Sequence, residues 1–188
     1  MFLRGLCAGC ICGLLVSCAG PSSVAAVERL DALRGTTVAT LPKPIEFVQS
    51  DSFAIGKRAS FAYLGPVEWD RMGEIRYSLW LNLAPGNGRQ IAKFRVGSAI
   101  TILLDGGTLS LTQQQAPPLA DPPYPSVVAW GQTAYFPITA QDLERLGASR
   151  ALVLRLRAVD GSTVDFKASR DAKAVMTRFL RSRHLVGD

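Results

Sequence analysis

Triad and general-base catalysis need an imidazole of near-neutral pKa held inside a cleft. This chain has one histidine, His184, the fifth residue from its end. A tail position reads as solvated, so no catalytic residue is assigned. Glycoside hydrolysis needs instead two carboxylates placed across a sugar, and Glu68, Asp70 and Glu74 around Trp69 are the one cluster of that kind. Pro66 and Gly73 bracket it, so the pattern predicts an exposed charged turn, and a carboxylate-based hydrolase is only an alternative. Trp69, Trp80 and Trp130 are candidate ligand-binding residues, because indole rings stack on sugars, although tryptophans in a β-rich chain more often pack in the core. The cysteines, Cys7, Cys10, Cys12 and Cys18, all lie near the start. Beyond them the chain has neither a Cys pair nor a second His to hold a metal. No Asp-rich calcium loop occurs, and no cofactor is expected. The glycines of Ala84-Pro85-Gly86-Asn87-Gly88-Arg89 lack the Lys-Ser/Thr of a phosphate loop and read as a turn.

Charge is distributed unevenly. Residues 18–188 carry 20 Lys and Arg against 15 Asp and Glu, and residues 167–188 alone hold six basic and two acidic residues. On a helical wheel Arg170, Lys173, Arg181 and His184 form a stripe, with Arg178 to one side. Arg170, Lys173, Arg178 and Arg181 are therefore candidate contacts for an anionic surface. The plainer reading is a solvated helix face whose last-turn cations complement the helix dipole. The remainder of the chain is nearly neutral, so the broad basic surface of a nucleic-acid-binding protein is missing and no nucleic acid is expected as partner.

The first 17 residues carry one positive charge, Arg4, then an apolar run through Leu6, Ile11, Leu14, Leu15 and Val16 with no acidic residue. The run is shorter than the ~20 residues a spanning helix needs, and it reads as an export signal. The four residues Leu15-Val16-Ser17-Cys18 that close it resemble the lipobox of bacterial lipoproteins. The resemblance covers residues 1–18 only. It implies that Cys18 is diacylated and becomes the N-terminus after cleavage, and two or more acyl chains bury enough methylenes to hold a protein on a membrane. Ala19, rather than Asp, follows the cysteine, which is similar to members sorted to the outer membrane. Ordinary signal cleavage after Ala19 or after Ala26 also fits the small residues there and would give a soluble periplasmic or secreted protein.

Whatever positions these residues must come from the chain after Cys18. Residues 18–35 read as anchor and tether, closing with a short helix from Val24 to Arg34 that Ser23 caps and Gly35 ends, or else as a spacer. From Thr36 the dominant period becomes two: Ile75, Tyr77, Leu79, Leu81 and Leu83 alternate with polar residues and Trp80 as in a half-buried strand. Asp105-Gly106-Gly107 and Asp160-Gly161-Ser162 predict tight hairpins between apolar runs. Weaker strands are expected near Thr36 to Thr40, Ile45 to Gln49, Ser60 to Leu64 and Thr133 to Pro137. Thr139 with Asp142 resembles a capping box opening a helix that Gly147 stops. A second, amphipathic helix is expected from about Arg170 to Arg183, burying Ala172, Val175, Met176, Phe179 and Leu180.

Strands that succeed one another through hairpins, without βαβ alternation, predict a mainly β fold: one domain over residues 36–188, an antiparallel sheet or β-sandwich with attached helices. Gln113 to Ser126 breaks the packing logic, because it holds five of the eleven prolines and cannot be a central strand. It reads as an extended surface connection, or alternatively as a flap or recognition segment. Together these features predict a non-catalytic lipoprotein on the outer membrane. Its periplasm-facing domain would serve as a binding or assembly accessory with a periplasmic or outer-membrane protein partner, and an envelope-glycan or small-ligand module is the alternative.

Overall fold

The computed structural model describes residues 26–49, 59–86, 98–117 and 119–186. The export signal, Cys18 and the start of the tether lie outside them. The chain forms strands β1 (Val27–Asp31), β2 (Thr36–Thr40), β3 (Ile45–Gln49), β4 (Phe61–Arg71), β5 (Glu74–Ala84), β6 (Ala99–Leu104), β7 (Gly107–Thr112) and β8 (Gln132–Ile138). Helix α1 (Ala140–Ala148), strands β9 (Val153–Arg157) and β10 (Thr163–Ala168), and helix α2 (Ala172–Ser182) complete it. Every strand pairing is antiparallel. The fold is mainly β with two attached helices, as the strand periodicity predicts.

All ten strands belong to one sheet, ordered β1-β2-β4-β3-β10-β9-β6-β7, with β5 and then β8 continuing from the other edge of β4. Two strands share one edge of β4: β3 pairs with Phe61 to Leu64 and β2 with Val67 to Asp70. Just past the end of β7, the Gln114 N–H donates to the Tyr135 carbonyl of β8 at 2.9 Å, so the two ends of the sheet are bridged and the sheet curls on itself. One face carries Phe47, Leu64, Leu79, Leu81, Leu83, Phe136, Leu154 and Phe166, all buried. Leu143 and Leu146 of α1 and Met176, Phe179 and Leu180 of α2 join the same core.

Four local expectations change. The helix expected over Val24 to Arg34 is, in its part within the described residues, strand β1 followed by a turn, and Gly35 closes the turn at φ 59°. Its apolar residues, Val27 and Leu30, remain exposed; ladder hydrogen bonds to β2 outweigh the weak apolar stripe. The turn expected between Pro66 and Gly73 is the continuation of β4 as far as Arg71, and the turn shrinks to Met72-Gly73. Proline is tolerated there because β2 and β3 part company at Gly65 and Pro66, leaving no ladder partner for the missing N–H. Gly147 lies inside α1, which ends one residue later. A β-carbon on Gly147 would stand 2.3 Å from Leu180 Cδ1, so the glycine permits the two helices to meet closely. In the first hairpin, positive φ falls on Gly107 (141°) rather than on Gly106, whereas Gly161 adopts it (82°) as expected.

The helix caps follow their sequence signals in part. Thr139 Oγ1 accepts from the Asp142 N–H at 3.1 Å and donates to its carboxylate, as a capping arrangement requires. Helix α2 begins at Ala172 after Asp171, with Ser169 donating to the Asp171 carboxylate rather than capping the helix itself. It ends at Ser182, and two residues on, His184, with a φ of 55°, turns the chain so that the Leu185 N–H reaches the Leu180 carbonyl.

Candidate functional site

The outer face of the sheet should be solvated on the alternating pattern, yet Val38, Val67, Ser78, Trp80 and Asn82 on it are buried. The cover is the proline-rich segment, which lies across this face as a strap. Tyr124 is its anchor. The Tyr124 hydroxyl accepts from the Leu41 N–H at 3.0 Å and donates to the Pro66 carbonyl at 2.9 Å, and its ring packs on Trp80 with centroids 5.0 Å apart. The phenol therefore fills the break in the ladder where β2 leaves β4. Burial pushes its pKa well above the ordinary tyrosine value, so it stays a neutral donor.

Strand β1 holds the strap at a second point. The Arg29 guanidinium donates to the carbonyls of Asp121 and Pro122, both at 2.8 Å, and Asp31 Oδ2 accepts from the Ala120 N–H at 2.8 Å. Further along, Asn82 Nδ2 donates to Ser126 Oγ at 3.4 Å and to Thr133 Oγ1 at 3.1 Å.

Beside the Gln114–Tyr135 bridge, where the strap begins, the chain borders a cleft of about 570 Å³, within the 300–1,000 Å³ typical of ligand sites. Its floor is Trp69 and Tyr135, with ring centroids 6.3 Å apart and planes at 52°. The Trp69 indole N–H is fixed on Ser78 Oγ at 2.8 Å. Gln114, Gln115 and Pro117 line one side, and Leu33, Arg34, Arg71 and Arg76 stand at the mouth with Glu74. Arg76 is paired to Glu74 at 2.6 Å. Burial raises the Tyr135 hydroxyl pKa, with the Arg29 charge partly opposing it. The cleft offers an aromatic floor, amide donors and acceptors beside it, and a mainly cationic mouth, which suits an extended segment with aromatic or acidic side chains.

The predicted site residues fall in different places. Of the three tryptophans, Trp69 borders the cleft, Trp80 is 1% exposed beneath the strap, and Trp130 is 56% exposed on the far side of it, its indole N–H directed at the Pro85 carbonyl. They form no common platform, because the strap consumes Trp80 as packing. The carboxylates also separate. Glu68 is 3% exposed on the helix-covered face, Asp70 accepts from the Gly73 N–H, and only Glu74 reaches the cleft. Adjacent positions in a strand face opposite ways, which sets Glu68 and Asp70 apart from Trp69. Arg170, Lys173, Arg178 and Arg181 are all exposed, and Arg178 borders a shallow groove that also holds Glu46 and Asp171. Cys18 lies outside the described residues.

One charged site was not foreseen. Arg183, just past α2, donates through Nε to Glu68 at 3.0 Å and through its terminal nitrogens to Glu68 and Glu28. The Glu68 hydrogen bonds raise the guanidinium pKa further, with burial opposing and Glu28 adding to the rise. This pair ties the chain end to β4 and β1 across sequence separations of 115 and 155 residues, which no local pattern encodes. The strap anchors escaped notice for a related reason: Arg29 and Asp31 sit in a segment read as tether. Tyr124, a lone aromatic among prolines, was the one available signal.

No family model, no curated protein and no solved structure matches the chain.

Proposed function

We propose that the chain is a bacterial lipoprotein, acylated at Cys18 and held on the outer membrane, whose periplasm-facing domain acts by binding rather than by catalysis. The cleft under the strap is its binding site, and the ligand is an extended segment of a periplasmic or outer-membrane protein. The observation that carries this reading is the pairing of Trp69 and Tyr135 as an aromatic floor beside Gln114 and Gln115, with three arginines at the mouth. Such a groove supplies a desolvated aromatic surface for affinity and peripheral charge for orientation. The lipobox resemblance supplies the compartment.

The test is a photo-crosslinking amino acid placed at Gln115, at the cleft, and separately at Thr163, the exposed first residue of β10, in cells making the protein. One discrete adduct from position 115, lost when Trp69→Ala is combined with it, is the expected result. Equal adducts from both positions, or none from 115, would contradict the cleft as the binding site.

A further inference from the structure

Two hairpin tips lie side by side at one end of the sheet. The register places Asp31 opposite Thr36 and Thr37 opposite Asp70, so the β1–β2 turn stands next to the Met72-Gly73 turn of β4 and β5. Leu30 and Ile75 occupy one cross-strand row, separated by Thr37 and Asp70. Leu30 is 67% exposed, Leu33 84%, Met72 96% and Ile75 51%. Among the described residues, half of the large exposed hydrophobic side chains are gathered at this tip.

Met72 adds a second, independent observation. A two-residue turn with positive φ at both positions favours Asn-Gly or Asp-Gly, and here φ is 56° at Met72 and 85° at Gly73. Methionine at this position stores backbone strain, while giving almost its whole apolar side chain to water. The fold gains from neither. Asparagine would serve the turn better on both counts, which points to a use for the methionine outside the fold.

We propose that the paired tips insert into the interface of an anionic lipid bilayer. Arg34 and Arg71, which also stand at the mouth of the cleft, flank the apolar residues and are exposed. Glu74 beside them is paired to Arg76, so the arginines exceed the exposed carboxylates at the tip and suit apolar insertion beside anionic headgroups. The surface is convex and offers four apolar side chains, short of the roughly 20 residues a side that a stable protein interface buries. The inference does not rest on acylation, but it is compatible with it. Val27 lies at the opposite end of β1 from the tip, and the nine residues from Cys18 to Val27 reach at most about 30 Å. Strand β1 spans about 17 Å, so a lipid at Cys18 and the tip can engage one bilayer.

The test is co-sedimentation of the unlipidated chain from Ala19 onward with vesicles of phosphatidylglycerol and phosphatidylethanolamine, near 0.15 M salt. Wild type is expected to bind. Leu33→Asn with Met72→Asn should weaken binding about tenfold or more, from the loss of two buried apolar side chains, while Met72→Asn alone leaves the melting temperature unchanged or raised. Changing Arg170, Lys173, Arg178 and Arg181 together to Gln should leave binding within about twofold, because salt at this strength screens an exposed stripe. No binding by wild type, equal binding by the tip variant, or loss of binding only in the stripe variant overturns the proposal. So does concentration-dependent dimerisation of wild type that Met72→Asn abolishes, which would assign the tip to a second copy of the chain.

Discussion

The ring of Tyr124 rests on Gly65 so closely that a β-carbon there would stand 2.3 Å from the tyrosine Cε2 atom. The glycine in β4 and the tyrosine in the strap are thus a matched pair. Gly65→Ala should lift the strap, and Tyr124→Phe should leave the Leu41 N–H and the Pro66 carbonyl buried without their partner, at a cost of about 1–3 kcal/mol. Both variants should be cut faster within residues 113–126 under limited proteolysis, with a lowered melting temperature. Unchanged cleavage in both would mean that the strap is held elsewhere.

The Arg183–Glu68 pair makes a second prediction. Glu68 keeps 4% of its side chain exposed and Arg183 20%, so Arg183→Gln leaves a buried carboxylate without its counter-charge, with the Tyr77 hydroxyl still beside it, and should cost about 3 kcal/mol. Replacing both residues, Glu68→Gln with Arg183→Gln, should recover part of that loss. Urea melts of the two single variants and the double variant give the coupling directly, and strict additivity would argue against the pair.

Backbone strain governs the last hairpin. Gly161 sits at φ 82°, so Gly161→Val should destabilise the domain by about 1–3 kcal/mol. A melting curve matching wild type would show that the turn can be rebuilt.

Acid stability follows from Asp105 and Asp165. Two backbone N–H groups, of Arg150 and Ala151, donate to the Asp105 carboxylate at 2.6 and 3.0 Å. These bonds lower its pKa, chiefly the one from Arg150. Hydrogen bonds from Arg155 do the same for Asp165. A carboxyl group whose folded pKa is depressed stabilises the fold above its unfolded pKa, near 4, and loses that contribution as pH falls through the folded value. Asp105→Asn should therefore lower the melting temperature at neutral pH and flatten its decline below about pH 4. An acid limb as steep as that of wild type would contradict the assignment.

Period-two patterning makes most of the sheet legible in the sequence: β5, both Asp-Gly hairpins and the inward set Leu152, Leu154, Leu156, Val164 and Phe166 follow from residue type and spacing, with Val164 alone only half-buried. What escaped depended on contacts remote in sequence. The outer face of β5 reads as solvated until Tyr124, 44 residues beyond Trp80, is laid over it. Strand β1 reads as a weak helix until β2 offers it an edge. The cleft exists only because the strap, the β1–β2 turn and the β4–β5 hairpin converge, and neither the separate tryptophans nor the acidic cluster encodes that meeting.

The proposed function stands most directly on the chemistry of Cys18. Mass spectrometry of the mature N-terminal peptide from the membrane fraction, with Cys18→Ser as control, measures it. The account predicts a peptide that begins at Cys18 and carries a diacylglyceryl group on Sγ, and an unprocessed, unlabelled precursor in the variant. A mature N-terminus at Gly20 or Val27, with no acyl mass, would contradict it.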